Sequence, residues 1–465
     1  MTGPAAHGDA IDRYIQEHIA EFVGDLKRLA SIPSVSTKGG AMEDAAQFVA
    51  DLLSSAGFDA RLMPTEGGFP VVYADSGDAG PRDGKTLLCY NHYDVQPEEP
   101  LELWLSPPFE PTEREGRLYA RGVADDKGQL VSRIAAMRAV RAVTGGYPVR
   151  VKFLVEGEEE IGSIHLPAFV EAQRELLAAD ACVWESGGVN VEGAPTVHLG
   201  MRGILAVELR ARTLARDAHS GQAHNLPNAA WRLVRALASL KDEHERILVA
   251  GWYDDVREPT EVERRLLERM PSDEAVAREL YGVREFVEGH TGLDYKAAVY
   301  APTCNIAGIS SGWQGPGSKT VIPAFATAKL DFRLVPDQDP LDLLAKLRSH
   351  LDARGFADVE IVNTEGGGER AATTPSDDPF VELAARTGEE DYGQPAVLVP
   401  LVGGSGPMWA FRSVLGTPIV TLGSADPYTS VHAPNESVSL ERFAQAIRHM
   451  ARLLLAYGAD AGGGA

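Results

Sequence analysis

The stretch VRVKFLVEGEEEIGS (149–163) indicates both the fold class and the place of the chemistry. Its first half is an apolar, β-branched run that predicts a buried strand, and its second half places four glutamates in five positions directly after that strand. Similar runs predict strands at 85–90, 181–185 and 418–423, with helices between them at 126–143 and 164–177. This alternation is typical of an α/β fold with a mostly parallel sheet flanked by helices.

A second pattern interrupts the first one. ILAVELRAR (204–212) and TVIPAFATAKLDFRLVP (320–336) alternate apolar and polar residues, as strands with one exposed face do. Helices are predicted at 227–240 and 339–353, and a charged helical segment at 241–300 is interpreted as an elaboration of this region. We therefore predict an α+β domain, residues 204–368, inserted into a discontinuous domain made of residues 1–203 and 369–465.

The composition argues against several classes of protein. The 465 residues contain 44 Lys+Arg and 67 Asp+Glu, a formal net charge of −23, so we expect neither nucleic acid nor a membrane surface as a partner. Three scattered cysteines are too few for a disulfide framework or a thiolate zinc site. Because no apolar run reaches the ~18 residues of a membrane helix and the first residues do not resemble a signal peptide, we expect a cytoplasmic location.

Side chains that can bind metal ions follow the predicted strands or open the predicted helices. Each position has an ordinary explanation when taken alone, since aspartates cap helices and acidic turns are often solvated. Together, histidines and carboxylates without thiolates suit a cation such as zinc or manganese, which would also relieve the repulsion among crowded acids. The residues concerned are His92, Asp94, Asp125, Glu158, Glu159, Glu160, Glu185 and His432.

Four blocks of sequence resemble the signature blocks of the dinuclear-zinc peptidase and deacylase family. They are HYDVQP (92–97), GRLYARGVADDKG (116–128), EGEEEIGS (156–163) and VHAPNE (431–436). This family includes carnosinases and other dipeptidases, glutamate carboxypeptidase, aminoacylase, acetylornithine deacetylase and succinyl-diaminopimelate desuccinylase. The resemblance spans roughly residues 12–456 and implies a zinc-peptidase-like catalytic domain with an inserted lid and dimerisation domain. It also implies two Zn²⁺ per subunit, with Mn²⁺ or Co²⁺ as possible substitutes.

The same resemblance implies a set of metal ligands. Asp125 would bridge the two metals, one of which His92 and Glu185 would bind. Glu160 and His432 would bind the other.

Two further acidic residues of these blocks are expected to act in catalysis. Glu159 matches the family's general acid/base because Gly-Ser follows it at the family's spacing, and Glu158 is the competing assignment. Asp94, two residues after His92, is expected to orient the ring of that histidine.

The resemblance extends to the predicted lid domain and to a glycine-rich loop. His219 would reach the active site of the neighbouring subunit in a homodimer, although the sequence leaves open whether it acts in its own subunit, and a surface histidine is the plain alternative. Arg333 would bind the carboxylate of the substrate, or it could simply pair with Asp331. Gly404 and Ser405 would contact the same carboxylate, although a turn would use Gly-Gly-Ser equally well. Asn305 is a further candidate for the substrate pocket.

These observations favour hydrolysis of dipeptides or short peptides by a metal-activated water. Glu185 supports an alternative, an N-acyl-amino-acid amidohydrolase, because deacylases and carboxypeptidases of the family usually have glutamate at this position, whereas carnosinase-like members usually have aspartate. The 241–300 segment, the GPGSKTVIP block (315–323) and the surroundings of Arg333 look more like carnosinase-type dipeptidases. A metal-binding protein without catalysis is the remaining alternative, and the filled motif positions argue against it.

Overall fold

The computed structural model describes residues 4–81, 84–363 and 368–462. The helices in these residues are α1 (Pro4–Ala30), α2 (Met42–Ser55), α3 (Lys127–Thr144), α4 (Leu166–Ala172), α5 (Arg174–Leu177), α6 (Ala229–Ala238), α7 (Glu261–Arg269), α8 (Glu274–Tyr281), α9 (Gly292–Ala297), α10 (Pro340–Ala353), α11 (Pro379–Tyr392), α12 (Met408–Leu415) and α13 (Leu440–Gly462).

The strands are mostly short, and the longest ones build the inserted region. They are β1 (Asp59–Met63), β2 (Val71–Asp75), β3 (Thr86–His92), β4 (Thr112–Arg114), β5 (Arg117–Tyr119), β6 (Arg150–Glu156), β7 (Ala181–Trp184), β8 (Gly188–Val189), β9 (Pro195–His198), β10 (Gly200–Arg212), β11 (Ala218–His219), β12 (Thr303–Ser311), β13 (Val321–Ile322), β14 (Phe325–Leu334), β15 (Glu360–Asn363), β16 (Ala372–Thr373), β17 (Val397–Val399), β18 (Val402–Ser405), β19 (Ile419–Thr421) and β20 (Ser437–Ser439).

The central sheet has the strand order β1-β2-β6-β3-β7-β19. The four strands from β6 to β19 are parallel, and β1 and β2 form an antiparallel edge. Successive side chains of a strand point to opposite faces. Cys89 accordingly joins a core formed with α1, α2, α3, α11 and α13, whereas its neighbour Tyr90 packs with α4, α5 and α12 on the other face. The predicted α/β fold is confirmed.

The carboxyl ends of β3, β6 and β7 meet at one edge of this sheet. His92 at the end of β3 pairs in register with Glu156 at the end of β6, and β7 lies on the other side of β3. Parallel strands bring the loops that follow them to a common edge, which is where α/β proteins bind their ligands. The motif residues after these strands are therefore neighbours in space.

The inserted region is built on an antiparallel sheet of order β12-β14-β10-β15. Helices α6 and α10 cover one face of it and form a separate hydrophobic core that includes Leu205, Leu233 and Phe332. Strand β10 crosses the predicted boundary at residues 203 and 204, since its first residues pair with β16 and β18 of the flanking segment. We keep the predicted division into domains as a proposal.

The charged segment 241–300 forms α7, α8 and α9 rather than additional long strands. Leu267 of α7 and Tyr300 pack against Leu401, so this segment also contacts the chain that follows the inserted region. In the described part of the chain, no helix combines the length and the apolar character needed to span a bilayer.

Candidate active site

Five side chains singled out by the motifs lie together at the carboxyl edge of the parallel strands. Nε2 of His92 lies 3.1 Å from Oδ1 of Asp125 and 3.4 Å from Oε2 of Glu185. Nε2 of His432 lies 3.1 Å from Oδ2 of Asp125 and 3.2 Å from Oε2 of Glu160. The two oxygens of Asp125 therefore face two different histidines, and this carboxylate lies between two groups of potential ligands.

Among the described residues, side-chain atoms that could bind a metal and lie within 4.8 Å of one another form two groups. They are His92 with Asp126 and Glu185, and Asp125 with Glu160 and His432. Asp126 belongs to the first group by distance, but its Oδ2 accepts hydrogen bonds from Nδ2 of Asn91 and from the backbone N–H of His92. Oδ2 of Asp126 thus anchors its loop, whereas its buried Oδ1 has no hydrogen-bond partner among the described residues.

The donor set fits a pair of divalent cations. Oε2 of Glu185 is buried and accepts no hydrogen bond, although a buried carboxylate oxygen is costly without a partner. Imidazole nitrogens and carboxylate oxygens are ligands that zinc and manganese accept, and a shared carboxylate is typical of a dinuclear site. The five clustered side chains could hold two such ions with Asp125 between them.

Asp94 and Gln96 hold two of these side chains in place. Asp94 is fully buried, and Nδ1 of His92 donates to its backbone carbonyl at 3.1 Å and lies 3.3 Å from its Oδ1. Oδ2 of Asp94 accepts the backbone N–H of Glu160 at 3.0 Å. Gln96 donates its backbone N–H and its side-chain amide to the carboxylate of Glu160, at 3.2 and 2.8 Å. This geometry supports the predicted orienting role of Asp94.

The glutamates in the competing positions 158 and 159 point in different directions. Oε2 of Glu158 pairs with Nδ1 of His165 at 2.8 Å. Glu159 instead faces the cluster. Its Oε1 and Oε1 of Glu185 both lie 3.5 Å from the position that a Cβ on Gly406 would occupy, so the two carboxylates face the same space. The geometry supports Glu159, and the assignment of the base remains a prediction.

Burial and the crowding of charges together determine the pKa values in the cluster. Burial raises the pKa values of Glu159, Glu160 and Glu185, and neighbouring carboxylates add to this effect. Burial opposes protonation of His432, but the carboxylates of Asp125 and Glu160 outweigh it and raise the pKa of His432 to about 10. Protons and metal ions compete for the same atoms, so metal binding to the cluster would release protons.

Three of the predicted substrate-binding residues form one chain of contacts. Nη1 of Arg333 donates to Oγ of Ser405 at 2.9 Å. Nε of Arg333 also lies 3.9 Å from Asp331, which accepts from Nδ2 of Asn305 at 2.8 Å. Ser405 is followed by Gly406, which lies beside Glu159 and Glu185. These contacts therefore connect Arg333 with the cluster. Gly404 is exposed in the same loop.

His219 differs from the other predicted site residues. It is exposed on β11, and its Nδ1 accepts the backbone N–H of Gly221 at 2.9 Å. None of its hydrogen bonds among the described residues involves the five clustered side chains. Its predicted role remains a proposal.

A cavity of about 1190 Å³ lies between the helical segment 241–300 and the residues around β8 and β17. Ser186 and Gly403 line it and are neighbours in sequence of Glu185 and Gly404, but none of the five clustered side chains lines it. We therefore do not assign the substrate to this cavity.

The sequence analysis missed four residues that organise the site. Asp126, Gln96 and Glu436 lie inside the quoted blocks, so their position beside the predicted ligands was the available signal. Arg133 had no such signal, because it lies inside a helix. Its buried guanidinium donates to the carbonyls of Tyr90, Trp184 and Leu422 and so joins the ends of β3, β7 and β19.

The chain is similar in sequence to peptidases. Residues 88–456 match the sequence profile described as peptidase family M20/M25/M40. The chain is 30% identical over 388 residues to the Beta-Ala-His dipeptidase of Rattus norvegicus, which covers 76% of this chain and 75% of that protein. It is 29% identical over 458 residues to the Cysteinylglycine-S-conjugate dipeptidase of Corynebacterium striatum, which covers 95% of this chain and 96% of that protein.

Two solved structures are similar over nearly the whole chain. An M20 family metallo-carboxypeptidase, Sso-CP2 from Sulfolobus solfataricus, superposes with a TM-score of 0.89 at 35% identity, covering 94% of this chain and 99% of that one. Human carnosine dipeptidase 1 superposes with a TM-score of 0.86 at 26% identity, covering 97% of this chain and 100% of that one.

Proposed function

The chain belongs to peptidase family M20/M25/M40, and from this premise we propose that it hydrolyses dipeptides or short peptides as a metal-dependent dipeptidase. The observation that carries the proposal is the Asp125 carboxylate, whose oxygens contact His92 on one side and His432 on the other. The dipeptidases among its relatives support the type of substrate.

Two Zn²⁺ ions, or Mn²⁺ or Co²⁺ in their place, are the proposed cofactors. When bound, they would polarise the scissile carbonyl and lower the pKa of the attacking water. The proposed ligands are His92 and Glu185 for one ion, Glu160 and His432 for the other, and Asp125 for both.

Glu159 is the proposed general base and acid. Its carboxylate would take a proton from the attacking water and pass it to the leaving nitrogen. Asp94 would keep Nε2 of His92 directed at the metal by holding Nδ1 on the other side of the ring.

Arg333 and the glycine-serine loop are the proposed binding site for the substrate's C-terminal carboxylate. A guanidinium presents two parallel donors that match a carboxylate, and Ser405 already lies 2.9 Å from Nη1 of Arg333. Gly404 leaves room for the substrate on β18, and Asn305, which donates to Asp331 beside Arg333, is a further candidate for the substrate pocket.

A homodimer through the inserted region is the proposed assembly. β12 is an edge strand with Ile306 and Ile309 exposed, and α6 exposes Trp231. Exposed strand edges with apolar side chains favour pairing with a second chain. The partner's copy of His219 would then reach the cluster and polarise the carbonyl, a role that any oxyanion donor can fill.

The expected cytoplasmic location and the absence of nucleic-acid and membrane partners remain predictions from composition.

A substrate panel tests the proposed function. The purified chain is stripped of metal, supplied with Zn²⁺, Mn²⁺ or Co²⁺, and assayed on dipeptides, longer peptides and N-acyl amino acids. We expect metal-dependent turnover of dipeptides. Turnover of N-acyl amino acids alone would favour the amidohydrolase alternative, and the absence of turnover of any dipeptide would contradict the proposal.

One comparison favours a second candidate, carboxypeptidase action on longer peptides. The 35% identity to a metallo-carboxypeptidase over 94% of the chain supports this candidate. The longer peptides of the panel decide it, since a carboxypeptidase would release their C-terminal residue.

A further inference from the structure

Glu436 is a buried carboxylate that binds four donors beside the metal-ligating cluster. Its Oε1 accepts the backbone N–H groups of Ala124 at 2.8 Å and Asp125 at 3.0 Å. Its Oε2 accepts the backbone N–H of Gly122 and Nη1 of Arg121, both at 2.8 Å. Both oxygens are therefore occupied, and Glu436 is not available as a metal ligand.

Arg121 extends this arrangement to the loop that follows β3. Besides its bond to Glu436, its Nη2 donates to the carbonyl of Pro97 at 3.2 Å. Pro97 ends the block that contains His92 and Asp94. Three loops, those of His92, Asp125 and His432, are thus tied together at one buried ion pair.

The loop of His432 needs such an anchor. Three of its residues have positive φ angles, a backbone conformation that residues other than glycine rarely adopt. They are Ser430 at 54°, His432 at 62° and Asn435 at 63°. The side chain of Asn435 holds the outer part of the loop, since it donates to Leu103 and accepts from Leu105. Glu436 holds the inner part, next to Asp125.

We propose that Glu436 is a positioning residue for the dinuclear site. It binds the backbone of Asp125 while its own loop carries His432, so it sets the distance between the shared carboxylate and the second histidine. The metal affinity of the site then depends on Glu436 although this residue touches no metal. The inference rests on the proposed function for the role of Asp125 and His432 as ligands.

The test compares two variants that each neutralise a buried, arginine-paired carboxylate. Glu436→Gln alters the proposed anchor, whereas Asp391→Asn alters a carboxylate with 1% side-chain exposure that pairs with Arg448 and Arg452 of α13, away from the cluster. Zinc affinity is measured without substrate, by chelator competition on the metal-depleted full chain, and the visible spectrum of the Co²⁺ form reports ligand geometry. Circular dichroism checks the fold.

We expect roughly a ten- to hundredfold loss of zinc affinity and an altered Co²⁺ spectrum in Glu436→Gln, the effect usual for residues that orient metal ligands. Asp391→Asn should lower thermal stability and leave both readouts at the wild-type level. Wild-type zinc affinity in a folded Glu436→Gln protein would overturn the proposal.

A second variant covers the case in which Glu436→Gln does not fold. Glu436→Asp keeps the charge and the pair with Arg121 but is one methylene shorter, so it cannot hold all four donors, and we again expect weaker zinc binding. Wild-type affinity in this variant, or failure of both variants to fold, would overturn the proposal. If the wild-type chain binds zinc but hydrolyses no dipeptide, the proposed function fails while this inference stands.

Discussion

The two oxygens of Asp125 face different histidines, and each histidine also has a glutamate beside it, Glu185 for His92 and Glu160 for His432. One carboxylate thus joins two half-sites that come from distant parts of the chain. At the scale of single residues, the site depends on such shared atoms, because every side chain in the cluster restrains at least one other. The effect of substituting one residue is therefore informative only in comparison with a matched control.

Glu159→Gln is expected to bind metal and to lose roughly 10²–10⁴-fold in kcat, because the amide cannot accept the proton of the attacking water. Glu158→Gln is the matched control, since Glu158 pairs with His165 and faces away from the cluster. Dipeptide kinetics and metal content of both variants check this prediction. A loss confined to Glu158→Gln would move the base to position 158.

Arg333→Met is expected to raise KM for dipeptides roughly 10- to 100-fold, because a charge-assisted hydrogen bond to the substrate carboxylate is lost. The matched control is a change in the substrate. A dipeptide amide has no terminal carboxylate, so the wild type and the variant should process it equally. If Arg333→Met affected acids and amides alike, Arg333 would serve the structure of β14 rather than the substrate.

At the scale of elements, the parallel strands and the helices that cover them set the frame of the site. Strands β3, β6 and β7 end together, and α3 places Arg133 across the ends of β3, β7 and β19. On the outer side, α13 packs against α11, α3 and α1. The segment after the inserted region therefore completes the hydrophobic core of the segment before it.

His449 of α13 makes the packing of α11 and α13 sensitive to pH. Burial and the nearby Arg452 lower its pKa to about 4, although Nε2 donates to the carbonyl of Ala384 at 3.1 Å. The unfolded chain binds a proton near the ordinary pKa of about 6.5, so the folded state loses stability as the pH falls from about 6.5 towards 4.

Substitution of His449 tests this contribution. We expect the loss of folding stability due to His449 to reach on the order of 3 kcal/mol near pH 4. In His449→Gln, whose amide can also donate to Ala384, urea unfolding should show a smaller loss of stability between pH 7 and pH 4. An unchanged pH dependence would contradict the prediction.

At the scale of the whole molecule, the inserted region presents apolar surface that the single chain does not cover. Ile309 on β12 is 55% exposed and Trp231 on α6 is 62% exposed. His219 lies in the same inserted region, where it pairs with Val321 of β13, and among the described residues its side chain bonds only the backbone of Gly221. A dimer with closed twofold symmetry would cover the apolar surface in both subunits and bring each His219 towards a partner.

The proposed dimer predicts the effect of two kinds of variant. Ile309→Glu should produce monomers in light scattering and lose activity, whereas Val262→Glu, at an exposed position on α7, should remain dimeric. Mixing His219→Ala with Glu159→Gln subunits should recover activity, because a mixed dimer has one site with both residues intact. No recovery from dimers that demonstrably exchange subunits would place His219 in its own subunit.

Local patterns predicted the elements of the fold well. The apolar runs at 85–90 and 149–156 are strands β3 and β6, and the periodic stretch at 126–143 is α3 with one-residue differences at its ends. Hydrophobic periodicity is a strong local signal, because each element must bury one face. The candidate site residues were found through motifs, but the direction of Glu158 and the roles of Gln96 and Glu436 were not found, since side-chain directions depend on contacts between loops.

The sequence by itself determined the class of fold, the interruption of one pattern by another and the residue types of a metal site. These follow from local periodicity and from which side chains can bind a cation. Only the tertiary structure decided how Asp125 and His432, which are 307 positions apart, bring Oδ2 and Nε2 to 3.1 Å from each other. It also decided that Glu159 rather than Glu158 faces the cluster. The physical reason is that the convergence of loops depends on the packing of the whole sheet and its helices, and no local stretch of sequence contains that information.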